Sequence, residues 1–166
     1  MDTFTGGAGN DTFVGGVGAF TVLDALNGGL GTDTLTVGES AALTTPAGIT
    51  VTGIETANLA GGTTVTANTS AWTGLTKLNI TAGTTSTVTA AATTDVNELT
   101  SINASSITGG KDVTVTHGTA GAVTVAGACR RGDYQHGWGP LGNLCCAGFV
   151  CEFHCQQSAV RSDHWC

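Results

Sequence analysis

Two nonapeptides limit what this chain can fold into more than any other feature. Residues 6–14 read GGAGNDTFV and residues 28–36 read GGLGTDTLT. Each has glycine at its first, second and fourth positions, aspartate at the sixth and a large apolar residue at the eighth. These are Gly6, Gly7, Gly9, Asp11 and Phe13, then Gly28, Gly29, Gly31, Asp33 and Leu35. Glycine tolerates φ > 0, so the glycines predict a tight turn with carbonyl oxygens facing inward. The aspartate adds a hard carboxylate, and the residues after it predict a short strand with one core-filling side chain. A glycine-rich flexible linker shares this composition. It has no reason to place an acid and a bulky apolar residue at fixed offsets twice.

The flanks repeat the pattern in damaged form. Residues 2–5, DTFT, place Asp2 in the carboxylate slot and Phe4 in the core slot, with Met1 where the middle of a glycine turn belongs. On that reading the chain starts inside a longer array and is a fragment. The middle unit, GGVGAFTVL at 15–23, keeps Gly15, Gly16 and Gly18 but has Phe20 in place of the acid. Residues 24–27, DALN, then interrupt the period, with Asp24 read as a loop residue. Calcium takes roughly 6–8 oxygen ligands, so one such turn cannot complete a shell and a stacked neighbour must supply the rest.

This is the G-G-x-G-x-D-x-U-x pattern of a parallel β-roll, and residues 1–36 resemble the RTX (repeats-in-toxin) proteins. Residues 37–128 look like the Thr/Ala/Gly-rich body of bacterial S-layer and large surface proteins that carry such arrays. The resemblance implies calcium as the cofactor, held by Gly6, Gly7, Gly9 and Asp11 of one turn and Gly28, Gly29, Gly31 and Asp33 of the other. In that family alternate turns share an ion, so 6–11 and 28–33 should face each other in one row. Asp2 should lie in the opposite row, facing the turn that holds Phe20. One or two ions are expected. The resemblance also implies an extracellular or cell-surface location, reached by type I export with an uncleaved C-terminal signal. Folding on arrival in millimolar calcium would suit that route.

Composition narrows the partners. The chain has 26 Gly among 166 residues, 10% charged residues and a net charge of −7. An acidic surface with no basic stripe excludes nucleic acid. No apolar run approaches the ~20 residues of a membrane span, and no N-terminal signal peptide is expected from residues 1–30. Neighbouring surface-protein subunits and cell-surface glycans remain as candidate partners.

The middle region reads as β-repeat. Ile54-x-x-Ala57-Asn58-Leu59, Leu75-x-x-Leu78-Asn79-Ile80 and Leu99-x-x-Ile102-Asn103-Ala104 recur at near-constant intervals, within the range of solenoid coils. Between them TTVTA (63–67), STVTA (86–90), DVTVTHG (112–118) and AVTVAG (122–127) alternate as half-buried strands do. Gly61-Gly62 and Gly109-Gly110 mark turns, and Thr44, Thr45 and Pro46 read as loop. The fold class expected is all-β, a β-roll continued by a β-solenoid or sandwich-like stack. Asn58, Asn79 and Asn103 read as an amide ladder along the axis, Trp72 as a core filler beside Leu75, and His117 as an exposed strand residue. Threonine faces can bind ice or carbohydrate when flat and regular, but the threonine spacing along this chain is irregular.

The C-terminal segment differs in kind. Residues 129–166 hold all six Cys (129, 145, 146, 151, 155 and 166) and all three Arg. The expected division is therefore 1–36, 37–128 and 129–166. An out-of-frame reading of the tail ranks first, a small disulfide module second. A zinc site drawing on these cysteines, His154 and His164 ranks last, because the C-x₂-C and H-x₃-H spacings are missing. Arg131-Gly132-Asp133 reads as a chance match to an integrin-binding tripeptide.

Enzyme signatures are absent: no G-x-S-x-G, H-E-x-x-H or P-loop, and no carboxylate pair with a pocket. The function expected is a non-catalytic, calcium-dependent structural module of a secreted or surface protein. An adhesin or polysaccharide-binding segment, or an accessory domain of a secreted enzyme, are the alternatives.

Overall fold

A chain that alternates apolar and polar residues in short strands, punctuated by glycine, buries one face of every strand by coiling them around a common axis. The computed structural model describes residues 1–101, 103–117, 122–127, 132–136, 139–144 and 151–153. It is a parallel β-solenoid of about six turns, with no helix among the described residues. The first coil contributes β1 (Thr3–Ala8) and β2 (Thr12–Gly15); the second β3 (Ala25–Leu30), β4 (Thr34–Glu39) and β5 (Leu43–Thr44). The third contributes β6 (Thr50–Thr52), β7 (Thr56–Gly61) and β8 (Thr64–Asn68). Two strands per coil follow: β9 (Lys77–Ala82) with β10 (Thr85–Ala90), β11 (Asp95–Ser101) with β12 (Ala104–Gly109), and β13 (Val113–His117) with β14 (Ala122–Ala126). The backbone continues as β15 (Gly132–His136), β16 (Gly139–Leu144) and β17 (Cys151–Phe153).

These strands stack into three sheets: β1-β3-β6 on one side, β2 through β15 and β16 on a second, and β5-β8-β10-β12-β14-β17 on the third. The four Thr-Val segments read from the sequence all form strands, as β8, β10, β13 and β14. Thr44 closes β5 rather than lying in a loop. The remaining readings of the tail's cysteines and histidines fall outside the described residues or on side chains that are not described, as does the side chain of His117.

Inward rows run parallel to the axis. Leu35, Ala57, Leu78, Val96 and Val113 pair strand to strand, and beside them Val37, Leu59, Ile80, Glu98 and Val115. Trp72 is 5% exposed and meets Phe20 edge-on at 6.2 Å, so Phe20 serves the core. Phe4 and Phe13 belong to the outermost coil. Phe4 is 51% exposed and Phe13 only partly buried, so neither packs as fully as Leu35 one coil further in.

Two sequence expectations change. The third repeat unit is out of phase: Asn79 pairs with Asn97 and Leu78 with Val96, so this coil closes earlier than the repeat implies. The amide ladder therefore runs Asn58, Asn79, Asn97, with Asn79 Nδ2 donating to Asn58 Oδ1 at 2.8 Å and Asn97 Nδ2 to Asn79 Oδ1 at 3.2 Å. Asn103 lies outside it, in a bend, and Leu99 points outward. Residues 24–27 are likewise no interruption. Asp24 precedes β3 and residues 25–27 open it, with Phe4 paired to Leu26, one coil on.

Glu98 is the odd member of its core row. It is fully buried, and its Oε1 accepts from Ser86 Oγ at 2.9 Å and Ser105 Oγ at 2.7 Å across the core. Those serines occupy the matching inward row of the opposite sheet, which explains why two hydroxyls interrupt the apolar run between Val65 and Val123.

The ladder generates a prediction. Asn79→Ala removes both amide contacts to its neighbours and costs about 1–2 kcal/mol. Urea unfolding should show that loss, while Asn103→Ala should leave the midpoint unchanged.

Candidate metal centre

Both glycine-aspartate turns lie on the same edge of the solenoid, one directly above the other. β1 and β3 pair Gly7 with Gly29 and Ala8 with Leu30, and β2 and β4 pair Thr12 with Thr34. One full coil thus brings Asp11 and Asp33 into one column. Asp11 N donates to Asp33 Oδ1 at 2.7 Å, and Asp33 N donates in turn to Glu55 Oε2, also at 2.7 Å. Asn10 Oδ1 accepts from Thr32 N at 2.8 Å beside them.

Glu55 extends the column beyond the two nonapeptides. A short string, glycine, any residue, acid, threonine, apolar, occurs at 9–13, 31–35 and 53–57 with a constant offset of one coil. That offset was the available signal. The third copy escapes the nonapeptide pattern because its turn is shorter, with Gly53 carrying the chain from β6 towards Glu55 and Ile54 buried in the core.

The glycines divide into two roles. Gly7, Gly9, Gly29 and Gly31 have φ of 135°, 129°, 103° and 131°, as a turn residue without a Cβ permits. Gly6 and Gly28 lack positive φ, contrary to the expectation that all three glycines turn the chain through that region. They serve close approach instead, since each lies inside a strand under its own aspartate. A Cβ on Gly6 would collide with Asp11 Oδ2 and the Gly28 carbonyl oxygen, and one on Gly28 with Asp33 Oδ2 and the Gly53 carbonyl oxygen.

Those collisions define two cradles. In each, a carboxylate oxygen and a main-chain carbonyl oxygen converge above a glycine α-carbon. Both are acceptors. Asp11 Oδ2 and Asp33 Oδ2 are buried with no hydrogen-bond partner, and Asp33 as a whole is 0% exposed. A buried carboxylate oxygen facing a carbonyl without a donor is unfavourable unless a cation joins them. Hard oxygen donors of this kind suit calcium better than a transition metal. No three acidic, histidine or cysteine side chains converge among the described residues, so further ligands would come from carbonyls and water.

Asp2 sits elsewhere than expected. Its amide donates to Asp24 Oδ1 at 3.0 Å, one coil on, rather than facing the turn around Phe20. Asp24 is buried at this second corner and also accepts from Thr21 N and Thr21 Oγ1, both at 2.8 Å. The Thr21 hydroxyl first, then the Thr21 and Asp2 amides, hold the Asp24 carboxyl below its ordinary range. All three donors are spent on it, so it is a corner clasp with no free oxygen.

No family model matches the chain, and no curated protein matches it.

The Asp24 corner gives a signed pH dependence. A carboxyl that titrates lower in the folded chain than in the unfolded one, near pH ~3.9, contributes stability above that value. The contribution is lost as pH falls through the folded value. Asp24→Asn should therefore lower the thermal midpoint at pH 7, and its deficit against the native chain should shrink as pH drops below about 4.

Proposed function

We propose that this chain is a non-catalytic structural module whose N-terminal coils are locked by calcium, part of a secreted or cell-surface protein of the RTX and S-layer kind. The observation that carries the reading is the pair of orphaned, buried oxygens, Asp11 Oδ2 and Asp33 Oδ2, each turned towards a carbonyl of the next coil. One ion at each cradle would bridge coil one to coil two and coil two to coil three. Ligands drawn from successive coils exist together only when the coils are stacked, so binding and stacking are one equilibrium.

The apolar rows limit how far that coupling reaches. From the second coil onward Leu35, Leu59, Leu78 and Ile80 are fully buried, whereas the first coil leaves Phe4 exposed and Phe13 only partly buried. Calcium therefore acts mainly on the first three coils, and the remainder of the stack stands on its own core. The product is a stiff rod with an ion-dependent end.

Thermal unfolding with and without calcium tests this, with magnesium as control because it dehydrates reluctantly and demands octahedral geometry. Calcium at about 100 times its Kd should add about 2.7 kcal/mol per occupied cradle, and magnesium much less. Asp11→Asn with Asp33→Asn should abolish the calcium response, whereas Asp33→Asn alone removes only the cradle at Gly53 and should roughly halve it. The single variant should also raise the midpoint in chelator, because an amide nitrogen in place of Oδ2 can donate to the Gly53 carbonyl. A native chain whose midpoint ignores calcium would contradict the proposal.

A further inference from the structure

The outer face of the third sheet carries a row of hydroxyls whose regularity the sequence conceals. Thr44 pairs with Thr66, Thr66 with Thr87, Thr87 with Ser106 and Ser106 with Thr124. Counted along the chain each of these steps is shorter than the one before it, so the spacing looks irregular. Counted across the sheet they are each one strand, because every change in coil length is absorbed outside these strands. The register is unbroken from β5 to β14, whereas the second sheet shifts after Leu59 and after Glu98.

A second rank flanks the row on each side. Thr64 lies opposite Thr85, with their hydroxyls 3.0 Å apart, and Thr89 lies opposite Thr108. Neighbouring strands sit about 4.7–4.9 Å apart, and alternate residues on one strand about 6.6–6.8 Å apart. The face is thus a continuous central row of hydroxyls, flanked by ranks that pass from threonine to alanine at Ala104, Ala122 and Ala126, with Asn68 at one corner.

Three properties say what such a face can bind. First, the central row is open. Thr44, Thr66, Thr87 and Ser106 are exposed, Thr124 is half-buried, and none of these five hydroxyls has a protein partner among the described residues. Second, threonine is stiff at χ1, so the four threonine oxygens of the row, all but that of Ser106, are held at the points of the row before any ligand arrives. Third, β5, β8, β10, β12 and β14 contain no charged and no aromatic residue. A glycan site needs amides, acids or a stacking ring to orient a sugar, and this face supplies only Asn68 at the end of β8, whose amide oxygen is already engaged by Ser70 N and Oγ. The outer face of the second sheet, by contrast, carries Lys77, Asp95 and the amide ladder.

We propose that this face binds ice. The strand-to-strand repeat lies close to the repeat of oxygens along the a axis of hexagonal ice. Unpartnered hydroxyls at that repeat can order a layer of water that continues into the crystal, while the methyls between them favour water ordered around apolar surface. The strongly hydrated charges that would disrupt such a layer are missing from these strands. The proposal is independent of the calcium reading, since none of these residues touches the glycine-aspartate turns.

The test is thermal hysteresis and ice-crystal shape in a nanolitre osmometer, using the full chain in millimolar calcium. The native chain should show a hysteresis gap and faceted crystals. Thr87→Tyr, a bulky residue that strands accept, breaks the row at its centre and should abolish both while circular dichroism stays unchanged. Thr36→Tyr on the outer face of the second sheet should leave both intact. Should Thr87→Tyr misfold, Thr66→Lys serves the same purpose by placing a hydrated charge in the row. Round crystals and no gap from the folded native chain would overturn the proposal, as would equal loss in Thr36→Tyr. Glycan binding that Thr87→Tyr removes, with no hysteresis in the native chain, would also overturn it.

Discussion

The N-terminal half of this molecule depends on one contact, repeated. The carboxylate of each coil accepts the main-chain amide of the acid in the coil before it: Asp33 from Asp11, Glu55 from Asp33, and Asp24 from Asp2 at the other corner. A charged acceptor makes each bond stronger than a neutral one, and together they fix the register of the first three coils. At the Asp11 and Asp33 corner the same contact has a consequence. One oxygen of Asp33 is engaged by an amide, and the other turns back over the first glycine of its own turn to face a carbonyl. The chain is thereby held in a geometry that a cation would complete. Asp24 makes the same contact without that consequence, because Thr21 engages its remaining oxygen.

Beyond the third coil the stack is held differently. Rows of Leu, Ile and Val fill the interior, and an asparagine ladder ties the outer face of one sheet. Glu98 is the exception inside that core. A buried carboxylate met by two serine hydroxyls, with its Oε2 unpartnered, is costly. It favours one arrangement across the core, the register that places Ser86 and Ser105 opposite Glu98.

How much of this was legible follows from what each signal encodes. The fold class and the four Thr-Val strands were readable because period-two alternation reports one buried face directly. The pairing of Asp11 with Asp33 was readable because the nonapeptides repeat at the coil length itself. The third ladder asparagine was not: a coil shorter than its predecessor moves the partner from Asn103 to Asn97, and constant-period reading follows the wrong residue. Glu55 was hidden by a shortened turn, and Asp24 by its place in what reads as an insertion but leads directly into a strand. The hydroxyl row looks irregular along the chain, although spacing across strands is the quantity that matters for a surface. In each case the missing information was how coil-length changes are absorbed, and only the stacked backbone supplies it.

The claim on which the ion reading rests is that Asp11 Oδ2 and Asp33 Oδ2 each face a cation. Anomalous diffraction at long wavelength from crystals grown in millimolar calcium locates such an ion by its own scattering. The account predicts a peak about 2.3–2.6 Å from Asp33 Oδ2 and from the Gly53 carbonyl oxygen, with a second at Asp11 Oδ2 and the Gly28 carbonyl. A well-ordered map with no anomalous peak at either turn, and with those oxygens bonded to water, would contradict it.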